Sequence, residues 1–321
     1  MTNTMKAIVI YEAGGPEQFQ LEERPIPEVK DGWTLVQIKG FGINHSEIFT
    51  RDGLSPSVQF PRILGIECVG EVVETTRRNL AAGQKVLSIM GEMGRAFDGS
   101  YAEYVLLPND QVYTFDSCLP WEQLAAIPET YYTAFGSYKN LQIKEGETLL
   151  VRAATAGVGL AFLNLVKAQF PKNRVVGSLR SLKKASLLDG AGYDDLIEDH
   201  DGVLQTDEQF DKILELVGPA TMKDSFKHVR TGGIVCETGM LGGVWTLDGY
   251  DPIVDQPDQT YLTSFHSDNV NQERITELFD FLNTYGVHVK PEKIYSLEQV
   301  PDAHRYLEGQ AGFGKVVIIN K

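Results

Sequence analysis

Short stretches of alternating apolar and polar residues, broken by Gly and Pro, dominate the first third of the chain. Thr34-Leu35-Val36-Gln37-Ile38-Lys39 reads as a half-buried strand. Similar runs predict strands at Ala7–Tyr11, Phe19–Glu23, Thr34–Gly42, Gly65–Glu74, Lys85–Met90 and Ser100–Leu107, with one helical insertion at Asn44–Arg51. Around Pro120 the texture turns helical, with helices predicted at Trp121–Ala126 and, after Pro128, at Tyr131–Asn140. From Thr148 the order becomes β-α-β-α. Strands are predicted at Thr148–Ala153, Arg174–Ser178, Asp195–Ile197, Lys212–Val217, Ile234–Thr238 and Tyr261–Phe265, with helices at Val158–Phe170, Leu182–Ala191 and Thr221–Val229. That rhythm predicts a doubly wound parallel sheet with a cleft at its carboxyl edge. The amphipathic stretch Asn271–Tyr285, a helix over Leu297–Gly309 and a strand over Lys315–Ile319 close the chain.

The first turn of the alternating region carries the clearest chemistry. A strand-length apolar run leads into Ala154-Thr155-Ala156-Gly157-Val158-Gly159 and then a helix. Small residues there let a pyrophosphate approach the backbone, and the free N–H groups and dipole of the helix start favour its charge. Against the G-x-G-x-x-G fingerprint only Gly159 is in register, and Gly157 is extra. The turn by itself suits equally an ordinary strand–turn–helix unit. The end of the second strand adds to it. Ser178-Leu179-Arg180-Ser181-Leu182-Lys183-Lys184 has no acid to accept from an NAD ribose, and offers hydroxyls and cations suited to the 2′-phosphate of NADP. Ser178, Arg180, Ser181 and Lys184 are therefore candidate cofactor ligands, and NADPH is the expected cofactor. The fourth and fifth strands end in Val217-Gly218 and Thr238-Gly239, which would face the same cleft, although glycines after strands are also common turn formers.

Composition narrows the partners. The 321 residues allow about two domains. A formal net charge of −15 argues against nucleic acid and anionic membrane surfaces. No apolar run approaches the roughly 20 residues of a membrane span. The N-terminus shows no signal-peptide pattern. Cys68, Cys118 and Cys236 are widely spaced, which excludes a C-x₂-C zinc lobe and suits a reducing cytoplasm.

Short motifs in order along nearly the whole chain resemble the medium-chain dehydrogenase/reductase superfamily, in its zinc-free quinone oxidoreductase (zeta-crystallin-like) branch. They include Gly42-Ile43-Asn44, Arg51-Asp52-Gly53, Pro61–Gly70, Gly99–Tyr104, Tyr131–Phe135, Arg230–Gly233, Ala303–Gly309 and Gly314-Lys315-Val316-Val317. The resemblance implies a GroES-like catalytic domain from both chain ends (1–122 and 267–321) around a Rossmann NADP-binding domain (123–266). Zinc-dependent relatives use a cysteine before H-S-D and the histidine of G-H-E. Here Asn44-His45-Ser46-Glu47 and Gly65-Ile66-Glu67 stand there, and Asn and Ile cannot replace thiolate and imidazole. No metal is expected, and a metal-free site suits acceptors that stabilise negative charge themselves, quinones or α,β-unsaturated carbonyls.

By resemblance, Asn44 and Tyr131 are the catalytic polar groups, Thr133 holds the carboxamide, and Ser264 and Phe265 lie near the nicotinamide. Core packing is the alternative for Tyr131, and a turn position for Asn44. Phe49 stands where relatives often have Tyr, and Asp199-His200 where a tyrosine often contacts the 2′-phosphate. A homodimer paired through the sixth strand's edge is implied. The alternatives to an NADPH-dependent reductase are a non-catalytic NADPH-binding sensor or structural protein and, more remotely, a zinc-type alcohol dehydrogenase.

Overall fold

A computed structural model describes residues 3–309 and 312–320. Its strands are β1 (Thr4–Ile10), β2 (Phe19–Pro25), β3 (Trp33–Ile43), β4 (Arg62–Ile63), β5 (Glu67–Thr75), β6 (Lys85–Ile89), β7 (Tyr104–Pro108), β8 (Tyr113–Thr114), β9 (Thr148–Arg152), β10 (Arg174–Leu179), β11 (Asp195–His200), β12 (Val203–Leu204), β13 (Phe210–Glu215), β14 (Val229–Glu237), β15 (Tyr261–Ser264), β16 (Lys293–Tyr295) and β17 (Val316–Ile319). The α-helices are α1 (His45–Arg51), α2 (Trp121–Leu124), α3 (Pro128–Leu141), α4 (Gly157–Gln169), α5 (Met222–Lys227), α6 (Gln272–Tyr285) and α7 (Val300–Glu308). The fold is α/β, and the chain divides into two compact units: Met1–Tyr132 with Ser267–Asn283 and Val289–Lys321, and Thr133–His266 with Thr284–His288.

The first unit is β-rich. One sheet runs β16-β17-β3-β5-β6-β8 with β7 also paired to β3, and a smaller one runs β2-β1-β4. Chain ends meet here because β17 pairs antiparallel with β3, Val317 opposite Gly42. A second tie is polar. Buried Arg51 on α1 donates to Glu308 on α7 and contacts His304 Nδ1 at 3.2 Å, while Tyr101 Oη and His304 Nε2 are 2.9 Å apart. Burial and the Arg51 charge push His304 down to about 3, so the imidazole is neutral. The core joins Ile8, Ile38, Phe41, Tyr101, Val300 and Ile318, from both ends of the sequence.

The second unit has a single sheet in the order β12-β11-β10-β9-β13-β14-β15, parallel except for β12. Leu149, Leu150 and Val151 are fully buried, as a central strand covered on both faces requires. The six expected strands are present. The connections differ from expectation. The helix expected at Leu182–Ala191 is a 3₁₀ run over Leu182–Leu188, which drops Leu188 onto Ala154 and Leu179; Gly190 and Gly192, both at positive φ, follow. The helix expected at Thr221–Val229 is shorter, and residues 201–209 connect β11 to β13 through β12 without a helix. The strands β4, β8, β12 and β16 escape sequence reading because two or three residues show no alternation.

Candidate active site

Strand β3 ends at Ile43 and α1 begins at His45, which makes Asn44 the N-cap. Asparagine favours that position because its side chain can accept from the first-turn N–H groups. Here it caps nothing. Its Nδ2 donates to Glu67 Oε1 at 2.9 Å, and its Oδ1 accepts from Lys315 Nζ at 2.6 Å. Lys315 Nζ also donates to Glu67 Oε1 at 2.5 Å, so Asn44, Glu67 and Lys315 close a ring. Glu67 is fully buried, and the Lys315 side chain is 6% exposed. The remaining carboxylate oxygen of Glu67 accepts from the backbone N–H of Glu129 in the first turn of α3 at 2.6 Å, where the helix dipole favours an anion. Ser267 Oγ donates to Glu129 Oε1 at 2.7 Å.

Glu47, on the first turn of α1, is buried beside this ring. Its Oε1 lies 3.5 Å from Asn44 Nδ2, and its Oε2 is buried with no hydrogen-bond partner. Burial first, and then the charge of Glu67, pushes its carboxyl up to about 8. Among the described residues the ammonium near it, Lys315, is already committed to Glu67, so Glu47 is a neutral acid at pH 7. The cluster thus carries one cation, one anion, one neutral acid and one pinned amide. Chemically it can offer N–H donors to a developing negative charge while carrying no net charge itself.

In the second unit, β9 leads into α4 through Ala153, whose φ of 69° is left-handed. α4 starts at Gly157 with Ala156 as N-cap and no side-chain cap, so its first-turn N–H groups are left for a ligand. Thr155 and Val158 flank this opening, and Gly159 packs the helix on the strand. A Cβ there would lie 3.1 Å from the Ala153 carbonyl and from Val151 Cγ1. Ser178 is buried, and its hydroxyl accepts from Ala153 N at 3.2 Å; it shapes the turn. Arg180 is exposed. Ser181 caps the 3₁₀ run, accepting from Lys183 N, and Lys184 is half-buried in it. This run is short, so its cations oppose a smaller dipole than an α-helix would present. Asp199 lies inside the unit, not on its surface: Arg152, fully buried, holds it at 2.7 Å and Asp224 at 3.0 Å. His200 is exposed beside Asp201 at 3.5 Å.

The ends of β13 and β14 are locked together. A Cβ on Gly218 would fall 2.5 Å from the Gly239 carbonyl, and one on Gly239 2.3 Å from the Leu216 carbonyl, so both glycines serve close backbone packing. Val217 and Gly218 donate their N–H groups to Glu215 Oε1. Thr238 Oγ1 is 2.9 Å from Ser137 Oγ on α3, and Ser137 in turn bonds the Thr133 carbonyl. Ser264 accepts from Asn140 through its carbonyl, and the Phe265 ring lies on Gly136 of α3. Glu237, in register beside Glu215, is pushed up to about 7 by burial and by that neighbour's charge. Tyr131, on α3, is buried.

Two family models match, an alcohol dehydrogenase GroES-like domain over residues 30–117 and a zinc-binding dehydrogenase domain over residues 191–318. The chain is 26% identical to the quinone oxidoreductase of Homo sapiens over 98% of both sequences. It is 26% identical to the 2-methylene-furan-3-one reductase of Solanum lycopersicum over 98% of this chain and 79% of that one. Among solved structures, a mycobacterial protein complexed with NADPH superposes with a TM-score of 0.81 at 23% identity, covering 98% of this chain and 100% of that one. By these matches the chain is similar to the medium-chain dehydrogenase/reductase superfamily. It is an oxidoreductase.

The superfamily's zinc chemistry does not fit these residues. Asn44 and Ile66 stand at two ligand positions, and the ammonium of Lys315 bonds the neighbouring carboxylate, Glu67. Among the described residues no group of three or more His, Cys, Asp and Glu could hold a metal. No helix among them is long and apolar enough to cross a membrane. Lys315 and Glu47 are members of the site that the sequence did not reveal. Both stand in the quoted motifs, but a hydrogen bond spanning 271 positions leaves no local pattern.

Proposed function

We propose that the protein is an NADPH-dependent, zinc-independent reductase of quinones or α,β-unsaturated carbonyls. The observation that carries this reading is the Asn44–Glu67–Lys315 ring: hydrogen-bond donors are gathered where metal-dependent relatives place a Lewis acid. An acceptor that delocalises its own negative charge needs donors and positioning, and no metal.

The second unit suits the dinucleotide. The uncapped first turn of α4, with Thr155, Ala156, Gly157 and Val158, would hold the diphosphate, and Arg180 with Ser181 and Lys184 the 2′-phosphate. Thr133, Val217, Gly218, Thr238, Gly239, Ser264 and Phe265 are the residues assigned to the ribose and nicotinamide half. Asp199, at the position where relatives often carry a tyrosine, turns inward onto Arg152, so its carboxylate does not oppose a phosphate there. When bound, reduced nicotinamide supplies a hydride. Asn44 and Tyr131 orient the acceptor and donate hydrogen bonds to the oxygen on which charge collects. We assign the chain to the cytoplasm and to a homodimer paired through the exposed β15 edge, where Tyr261 and Leu262 face outward.

Steady-state oxidation of NADPH and NADH with a panel of quinones and enones tests the reading. Turnover of at least one acceptor with preference for NADPH is expected. Binding of NADPH without turnover on any acceptor would overturn it in favour of a dinucleotide sensor.

A further inference from the structure

We propose that Lys315 is the positioning residue of the Asn44 amide, an internal cation that fixes which way the amide faces. The proposal rests on the reading of Asn44 as a polar group at the acceptor. A free asparagine amide can turn over, exchanging its N–H face for its carbonyl face. Lys315 removes that freedom: an ammonium has only donors, so Asn44 must present Oδ1 to it, at 2.6 Å. Glu67, ionised and holding only acceptors, must take Nδ2, at 2.9 Å. The two charged partners specify the same orientation. One N–H of Nδ2 is used by Glu67, and the other meets Glu47 only at 3.5 Å, too long to hold it. That second N–H is the one left for an acceptor oxygen.

The space for this ring is built by Gly42. A Cβ there would lie 2.1 Å from Lys315 Cε and 2.4 Å from both Nζ and Glu67 Oε1. Gly42 shows no left-handed φ, so its missing side chain answers to the ammonium and not to backbone strain. The strand pairing of Gly42 with Val317 delivers Lys315 to the spot from the far end of the chain. Glu47 completes the arrangement. As a neutral acid it does not compete for the ammonium, which therefore stays shared between Asn44 and Glu67. The missing helix cap at Asn44 fits a side chain held for another purpose.

Three variants test the proposal: Lys315→Met, the charge-neutral pair Lys315→Met/Glu67→Gln, and Gly42→Ala, which displaces the ammonium without altering any charge. Each is assayed for kcat, KM and the NADPH dissociation constant. The side-chain amide of Asn44, identified by its disappearance in Asn44→Asp, is followed by ¹⁵N NMR. The expected result is a kcat about tenfold or more lower in all three, with the NADPH dissociation constant within about twofold of wild type. The Asn44 amide resonance should move and exchange faster in Lys315→Met and Gly42→Ala. Should Lys315→Met fail to fold because Glu67 is left unpaired, the neutral pair and Gly42→Ala carry the test. Wild-type kcat in the neutral pair would overturn the proposal, since Lys315 would then only offset the burial of Glu67. If the wild-type protein reduces no acceptor, the proposed function fails and the amide resonance alone decides: an unmoved signal in Lys315→Met and Gly42→Ala overturns the positioning role, a moved one upholds it.

Discussion

Asn44 sits where an asparagine would cap α1 and leaves the helix uncapped, because its amide is drawn to Lys315 and Glu67. Next to it, Glu47 shows how burial sets protonation. Its folded value of about 8 lies above the roughly 4.3 of an exposed glutamate, so the folded chain binds this proton more tightly than the unfolded chain. Between those two values the unfolded state loses the proton first. Stability from this group is therefore complete below about pH 4.3 and declines as pH rises to about 8, by up to about 1.4 kcal/mol per pH unit. Denaturant unfolding from pH 5 to 8.5 should show this slope in wild type and a flatter one in Glu47→Gln. Identical slopes would mean that Glu47 is ionised in the folded protein. Arg180 makes the opposite case, an exposed cation whose role awaits a ligand. Arg180→Ala should weaken NADPH binding about tenfold or more, the scale of one charge-assisted contact, and leave NADH within about twofold. Equal losses for both dinucleotides would remove the phosphate role.

Among the elements, α3 links local sequence to site geometry most tightly. Pro128 starts it, Glu129 offers its N–H to Glu67, and further along Ser137 and Asn140 bond Thr238 and the Ser264 carbonyl. Gly136 lies between these, and helix propensity alone would favour alanine there by about 1 kcal/mol. Packing decides otherwise. The added Cβ would fall 2.0 Å from Phe265 Cε2, and a rigid ring cannot yield as a flexible side-chain end can. Gly136→Ala should therefore destabilise the protein by about 1–3 kcal/mol in a denaturant titration, the range of overpacked sites. A gain in stability would show that the ring moves freely. The strand–turn–helix of β9 and α4 was legible from its apolar run and small residues, although only one glycine of the dinucleotide fingerprint is in register. The 3₁₀ run Leu182–Leu188 was not legible, because its apolar spacing also suits an α-helix and only the contact of Leu188 with Ala154 and Leu179 distinguishes the two.

For the molecule as a whole, a net charge of −15 keeps copies apart at long range, so any self-association has to come from short-range contacts. The β15 edge supplies unpaired backbone and exposed Tyr261 and Leu262. Sedimentation at micromolar concentration should give twice the chain mass of 35.6 kDa, and Leu262→Lys should shift it toward the single chain. A wild-type monomer would remove the dimer assignment. From sequence alone, the alternation of β and α after Thr148, the positions of the longer strands and the absence of thiolate and imidazole at Asn44 and Ile66 were determined, since each depends on neighbours a few positions apart. Motifs such as Arg51-Asp52-Gly53 and Ala303–Gly309 could be recognised, but not that Arg51 pairs with Glu308. Only the tertiary structure decided that Asp199 turns inward to Arg152, that Glu47 is a buried neutral acid and that Lys315 reaches Asn44. The physical reason is range. Periodicity and turn chemistry are written in local spacing, whereas burial and ion pairing depend on which distant strands are brought side by side, as β17 is beside β3.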